Sequence, residues 1–286
     1  MKLRYLLFCI LFLNCFVLRA QDPYSYAIDK SVGLPSNEVY DVFQDKNGFM
    51  WFATGEGLSK YDGTKFSTYF SKKQTSKSGS NILQDKFGRI WYINFDGYLY
   101  YIENNDLKSF KQENSIGYYE FGIIEDKLFT IQKNQIEVYD LNNLKLIRKI
   151  KFNNISLKAT HLSRKYFYIF TDKLLKNDYD LNIASLELPP ELTNAKSVVI
   201  ESNAEDLYIV SKTDGQFFQY SNKLFTKKTV LKGSIIQNLS FVNNKLWLAT
   251  TRGLFEYDDS KFTNYFKNYN ISSIFKDAEN KFGFLT

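Results

Sequence analysis

Short apolar runs broken by polar turn signals fill most of this chain. From Val39 onward four of them follow one another: Val39–Gln44, Phe49–Thr54, Leu58–Tyr61 and Lys65–Phe70. Their shortness and their β-branched and aromatic content predict strands. Asp45-Lys46-Asn47-Gly48 separates the first pair and Asp62-Gly63 the last pair. Asn-Gly and Asp-Gly are strong hairpin signals, because both residues tolerate positive φ. Gly55 and Gly57 break the chain between the second and third runs. The unit is read as four short strands, a to d.

The unit recurs. FMWFATGEGLSKYDGTKFSTYF from Phe49 returns without a gap as KLWLATTRGLFEYDDSKFTNYF from Lys245, 196 positions later. Trp51, Thr54, Gly57, Leu58, Tyr61 and Phe66 meet Trp247, Thr250, Gly253, Leu254, Tyr257 and Phe262. The offset is five units of about 40 residues, the period of a four-stranded propeller blade. A second unit carries Gln84-Asp85, Gly88, Trp91 and Gly97. Weaker third, fourth and fifth units centre on Lys127–Thr130, Tyr166–Ile169 and Asp206–Ile209. A second apolar stretch follows each, at Ile136–Tyr139, Leu174–Tyr179 and Phe217–Tyr220. A seventh unit opens at Ile271–Asp277 and runs to Thr286, inside its strand b. Tyr24–Ile28 is read as a spare outer strand d that completes the seventh blade.

The predicted fold is therefore all-β, a β-propeller of four-stranded blades, seven-bladed with the last blade truncated. Six blades are complete and the seventh lacks strand c. Such a count suggests a truncated chain or the front of a longer polypeptide. No Pro/Gly/Ser-rich linker divides residues 21–286, which are read as one domain. Aromatic residues make up 17% of the chain and recur at one position per strand, so Trp51, Trp91 and Trp247 are assigned to packing between blades.

The first twenty residues stand apart. Lys2 and Arg4 precede an apolar run from Tyr5 to Leu18 that is too short to span a bilayer comfortably, and Ala20 closes a small-residue cleavage site. Residues 1–20 are read as a signal peptide and the mature chain as exported. Both cysteines, Cys9 and Cys15, lie in this segment, so the mature chain has no disulfide, thiol nucleophile or cysteine metal site. Removing Lys2, Arg4 and Arg19 lowers the net charge from +6 to +3, which leaves no nucleic-acid footprint.

Catalytic chemistry is scarce. His161 is the single histidine, placed on a strand a and read as structural. Asp45–Gly48 resembles the start of a calcium loop but lacks the distal Glu, and no phosphate-binding glycine motif is present. No catalytic residue, metal site or cofactor is assigned. Function is assigned instead to the mouth of the ring, where b–c loops gather. Glu56, Asp96, Asp214 and Arg252 each stand just before the glycine that closes such a loop, with Lys133 as a fifth candidate. The scaffold fixes the glycine and leaves this charged position free to meet a ligand.

The stretch from Gly33 to Gly63, GLPSNEVYDVFQDKNGFMWFATGEGLSKYDG, closely resembles the two-component-regulator propeller repeat. Unit six shares the pattern, unit two part of it, unit seven only its strand a and turn, and units three to five depart from it. In that family the repeats build the periplasmic sensor of membrane regulators typical of Bacteroidetes-like bacteria. Two seven-bladed propellers are usually followed by a β-sandwich, a membrane helix and an output module, most often a histidine kinase. The ligands of relatives are often oligosaccharides. The resemblance implies a periplasmic ligand-sensing domain with a glycan as its signal. It would have downstream domains, an inner-membrane anchor and possible homodimers as partners, and no catalysis in this chain. Two alternatives stand beside it, a stand-alone secreted scaffold and a propeller lyase.

Overall fold

The computed structural model describes residues 26–286, apart from 73, 111–117, 133, 152–156, 164, 179, 181, 204–205, 229, 259–260 and 278–281; Tyr118 and Tyr119 are described by their backbone alone. Six antiparallel sheets of four strands follow one another, each in plain a-b-c-d order, and a two-stranded sheet ends the series. The first blade comprises Val39–Gln44, Met50–Thr54, Gly57–Tyr61 and Phe66–Tyr69. The degenerate third, fourth and fifth units each supply four strands, over Tyr118–Ile124 to Leu146–Lys151, Ala159–Leu162 to Ile183–Leu186, and Val198–Ser202 to Leu224–Lys227. The seventh sheet pairs Ser273–Lys276 with Phe282–Leu285.

Strands a form the inner wall of the ring. In order they are Val39–Gln44, Gly79–Gln84, Tyr118–Ile124, Ala159–Leu162, Val198–Ser202, Ile236–Val242 and Ser273–Lys276. Neighbours pack side by side, and the seventh touches both the sixth and the first, so the ring closes. Between the third and fourth blades the Leu162 side chain fills the space over Gly122. A Cβ there would stand 1.8 Å from Leu162 Cδ2, so a larger residue requires Leu162 to move.

The spare-strand expectation for Tyr24–Ile28 is corrected at the described residues 26–28, which form no strand. Tyr26 is 77% exposed, and only Ile28 packs, against Leu34, Val42 and Phe52. An outer strand d pairs with a strand c, and the seventh sheet has two strands among the described residues.

Each blade is covered on both faces by its neighbours, which is why strand b reads as an unbroken apolar run. Ile90–Asn94 is buried at every position. Trp91 and Ile93 face Phe121, Leu128 and Tyr139 of the third blade. Ile90 and Tyr92 face Trp51, Ala53 and Leu58 of the first. The seven buried clusters among the described residues each straddle one junction between adjacent blades. The closing junction sets Leu34, Val42 and Phe52 of the first blade against Phe275 and Leu285 of the seventh. Trp51, Trp91 and Trp247 all lie in such junctions, 4%, 0% and 8% exposed, as their register predicts.

The Asp–Trp spacing of the repeat has a direct physical cause. Asp85 is buried at the head of the a–b turn, where one oxygen accepts from the N–H groups of Phe87 (2.9 Å) and Arg89 (3.0 Å). The other accepts from Trp91 Nε1 at 2.8 Å and Arg89 Nε at 2.5 Å. Asp45 repeats this with Asn47 N, Phe49 N and Trp51 Nε1. One carboxylate thus closes the turn and satisfies the indole that must be buried in the junction. The turn at Asp45–Gly48 is accordingly a hairpin whose carboxylate is already occupied. Arg89 extends the link, donating from Nη2 to Leu141 O of the third blade at 2.7 Å.

Asp85→Ala would strand two amides, an indole and a buried guanidinium, and its expected cost is about 3–5 kcal/mol. Asp45→Ala, with no arginine to strand, is expected to cost less, about 1–3 kcal/mol. Urea denaturation of both variants checks this order, and equal midpoints would contradict it.

Candidate functional site at the channel mouth

Seven strands a enter the ring from one end, and the b–c turns sit beside their starts. Gly55 N donates to Glu38 O at 2.9 Å, Phe95 N to Ser78 O at 3.0 Å, Lys212 N to Ser197 O at 3.1 Å and Thr251 N to Ile235 O at 3.1 Å. Each bond pins a turn to the residue that leads into the inner strand, so the turns rim the channel mouth. In the first and sixth blades the turn is built by threonine and glycine. Thr54 Oγ1 donates to Gly57 O and accepts from Glu56 N, and Thr250 does the same with Gly253 and Arg252. Gly57 has φ 120° and Gly253 φ 124°; a Cβ there would meet the carbonyls of Tyr69 and Tyr265 at 3.0 and 2.9 Å. Residues 54 and 57 are therefore constrained, and residue 56 is not.

The four described candidates from the sequence occupy this rim, all with exposed side chains. Glu56 pairs with Lys77 at 3.0 Å. Asp96 stands on the adjacent turn of the second blade. Asp214 caps its own turn by accepting from Gln216 N at 3.2 Å. Arg252 lies over the loop at Gly233, where a Cβ would come within 3.3 Å of Nη1. Glu56 and Asp96 are thus neighbours across one blade junction, while Asp214 and Arg252 belong to the fifth and sixth blades across the mouth. Lys133 lies outside the described residues.

Sequence reasoning missed the aromatic part of the rim. Tyr40 and Phe95 meet edge-on between the first two blades, with centroids 4.7 Å apart and planes at 79°. They are 38% and 55% exposed. The inner strand shifts register between Val39 and Asp41, and Tyr40 sits at that shift. Its hydroxyl donates to Glu38 Oε2 at 3.3 Å. The Glu38 carboxylate in turn overlies Gly55, where a Cβ would come within 2.8 Å of Oε2. A signal for Phe95 existed: it is aromatic in a turn where the other blades carry Gly55, Thr213 and Thr251. Together Tyr40, Phe95, Glu38, Asp96 and the Glu56–Lys77 pair present exposed ring surface flanked by hydrogen-bonding carboxylates.

Below the rim, polar groups link successive inner strands. Asp41 Oδ2 accepts from Ile82 N of the second blade at 2.6 Å. Asn81, at φ 53°, donates to Phe121 O of the third at 2.9 Å and also to the Glu120 carboxylate. His161 Nε2 shares a hydrogen bond of 2.8 Å with Ser202 Oγ of the fifth blade. These side chains touch the narrow channel yet are walled by protein on nearly every side. Burial therefore pushes the carboxyls up, Asp41 to about 6 and Glu120 and Glu201 to about 7. The same burial pulls His161 down to about 4. The 3.9 Å contact between His161 and Glu201 is accordingly made with the imidazole neutral at pH 5–7, not as an ion pair.

The fold is a closed propeller with aromatic and charged groups at its mouth. Residues 33–56, which build the lead-in, strand a, both turns and strand b of the first blade, match the family described as two component regulator propeller. The extracellular domains of the putative hybrid two component systems BT4673 and BT3049 from B. thetaiotaomicron share the fold. They superpose with a TM-score of 0.71 at 16% and 19% identity, and cover 93% and 92% of this chain. The chain spans only 38% and 41% of theirs. A catalytically inactive histidine-to-alanine virginiamycin B lyase from Staphylococcus aureus with quinupristin has the same TM-score, 0.71. It is 13% identical and covers 88% of this chain and 94% of its own. A curated relative, uncharacterized protein L278 of Acanthamoeba polyphaga mimivirus, is 33% identical over 70 residues. That is 24% of this chain and 56% of L278, so the chain spans about half of it. No helix among the described residues is long and apolar enough to cross a membrane.

The channel groups give folding a distinctive pH dependence. A carboxyl raised on folding stays protonated where the unfolded chain ionises, so stability is lost as pH rises between about 4 and 7. His161 acts oppositely, and its contribution is lost as pH falls from about 6.5 to 4. Three carboxyls against one imidazole predict a higher melting temperature at pH 5 than at pH 7.5. Glu120→Gln is expected to flatten the slope, and a wild-type profile that rises toward pH 7.5 would contradict the assignment.

Proposed function

We propose that this chain is the ligand-sensing propeller of an exported signalling protein of the two-component-regulator kind. Its signal is an extracellular saccharide, bound at the channel mouth against Tyr40 and Phe95 and oriented by Glu38, Glu56 and Asp96. The observation that carries the reading is the family match over residues 33–56, which falls on the segment that builds this rim. The extracellular placement of the similar BT4673 and BT3049 domains supports it, as does the signal-peptide pattern of residues 1–20. In this reading the propeller lies in the periplasm and acts by binding alone. Ligand shifts the population of propeller arrangements, and a membrane helix and output module encoded elsewhere in the protein read the shift.

The lyase reading draws on likeness of fold alone. The similar lyase is described as inactive once a histidine becomes alanine. Here the one histidine is a largely buried side chain bonded to Ser202 on the inner strands, away from the exposed rim.

Calorimetric titration of the chain with a panel of neutral and acidic oligosaccharides tests the proposal. Saturable binding without product is expected, with Phe95→Ala weakening it about tenfold, or ~1.4 kcal/mol. Release of unsaturated sugars would favour the lyase. Binding untouched by either Tyr40→Ala or Phe95→Ala would move the site off this rim.

A further inference from the structure

The outer rim between the first and second blades holds a second candidate pocket, far from the channel mouth in topology. A groove of about 520 Å³ runs between strand d of the first blade and the Asn105–Asp106 hairpin turn of the second. Its volume lies within the range of about 300–1,000 Å³ typical of small-molecule sites. Its lining includes two lysines, Lys60 and Lys65, and two carboxylates, Asp62 and Asp106, with Tyr69 and Asn105 between the walls. Tyr69 donates to Asn105 Oδ1 at 2.6 Å, which ties the two walls together and leaves the Asn105 amide N–H groups for another partner.

Lys60 is the unusual member. Its position lies directly across from the junction tryptophan, and the repeats show what normally happens there. In the second blade the equivalent is Tyr101, which stacks on Trp91 with centroids 4.6 Å apart. In the sixth it is Glu256, neutralised by Lys245 at 2.6 Å. In the first blade it is Lys60, opposite Trp51. Its half-buried ammonium lies 3.5 Å above the Phe49 ring and 5.7 Å from the Trp51 ring. No carboxylate among the described residues pairs with it. Asp62, the nearest acid along the strand and itself part of the groove lining, directs Oδ1 into its own turn. There it accepts from Thr64 N, Thr64 Oγ1 and Lys65 N, and it forms no ion pair with Lys60. The ring faces satisfy one side of the ammonium. Its N–H donors on the other side face the groove.

We propose that this groove binds a carboxylate-bearing saccharide, a uronic-acid unit, with its carboxylate on Lys60. The opposite wall chooses the class. Asp106 and the Asn105 amide offer an acceptor and donors suited to sugar hydroxyls, and Asp62 and Asp106 disfavour a dianionic phosphate more than a single carboxylate. Lys65 stands at the open side with Asp62 as its electrostatic neighbour, which leaves Lys60 as the cation for the ligand carboxylate. The site is separate from the mouth, and its occupancy does not depend on Tyr40 or Phe95.

Ser67 supplies a test that leaves Lys60 in place. It is exposed and directly cross-strand from Lys60, so Ser67→Glu would give the ammonium an internal carboxylate. Binding of trigalacturonate is measured by calorimetry at low and 0.5 M salt, with its carboxyl-reduced neutral counterpart and inorganic phosphate as comparators. Wild type is expected to bind the acidic trimer at least tenfold more tightly than the neutral one, and more weakly at high salt. Lys60→Gln and Ser67→Glu are each expected to lose at least tenfold with unchanged melting temperature, and Phe95→Ala to lose nothing. Equal affinity for both trimers would overturn the proposal, as would phosphate displacing the trimer at equal concentration. Loss in Phe95→Ala without loss in Ser67→Glu would place the acidic sugar at the mouth instead.

Discussion

Everything in this molecule depends on packing between blades. No sheet has a core of its own; each apolar cluster is shared by two sheets, and a large buried side chain contributes about 1.5–3 kcal/mol only when both are present. The ring must therefore close or leave a bare face. It closes through the smallest junction, where Phe275 and Leu285 of a two-stranded sheet cover Leu34, Val42 and Phe52. Two strands suffice because strands a and b carry the inner part of a blade, where neighbours come closest.

Shared packing also explains where the sequence is strict and where it is free. Trp51 and Trp91 must bury an indole N–H, and the turn aspartates six residues earlier, Asp45 and Asp85, accept it. The third to fifth blades place Phe129, Tyr168 and Tyr208 at this register instead. Phe129 has no polar atom to satisfy, and Tyr208 carries its hydroxyl at the ring tip, where it accepts from Gln219 Nε2 at 3.3 Å, so these repeats fold as blades without the indole acceptor. Turn geometry fixes Thr54 and Gly57 but not Glu56, so chemistry collects at the mouth on a rigid frame.

The inner wall has a different character from the junctions. Its polar side chains reach from one strand to the next, as Asp41 does to Ile82 and Asn81 to Phe121. Such bonds satisfy groups that water reaches poorly, and they hold the bulge that presents Tyr40 to the mouth. The carboxyls at this level are costly to ionise, so the wall holds the mouth in shape while itself responding to pH.

The periodicity of tryptophan, glycine and turn signals determined the blade architecture, the order of strands and the buried fate of Trp51, Trp91 and Trp247. It did so because those features are local or repeat at a constant interval. The same regularity located the b–c turns and so Glu56, Asp96, Asp214 and Arg252. Only the tertiary structure decided that Tyr40 meets Phe95, that Glu120 faces Asn81 and that Lys60 lacks the partner its counterparts have. The first two join residues tens of positions apart on different blades, and the third depends on which side chains stand around the groove, so none is a local property of the sequence. A spare strand d at Tyr24–Ile28 was the expectation most exposed to this limit. Its pattern suited a strand, but a strand forms only where a neighbouring edge is present to accept its hydrogen bonds.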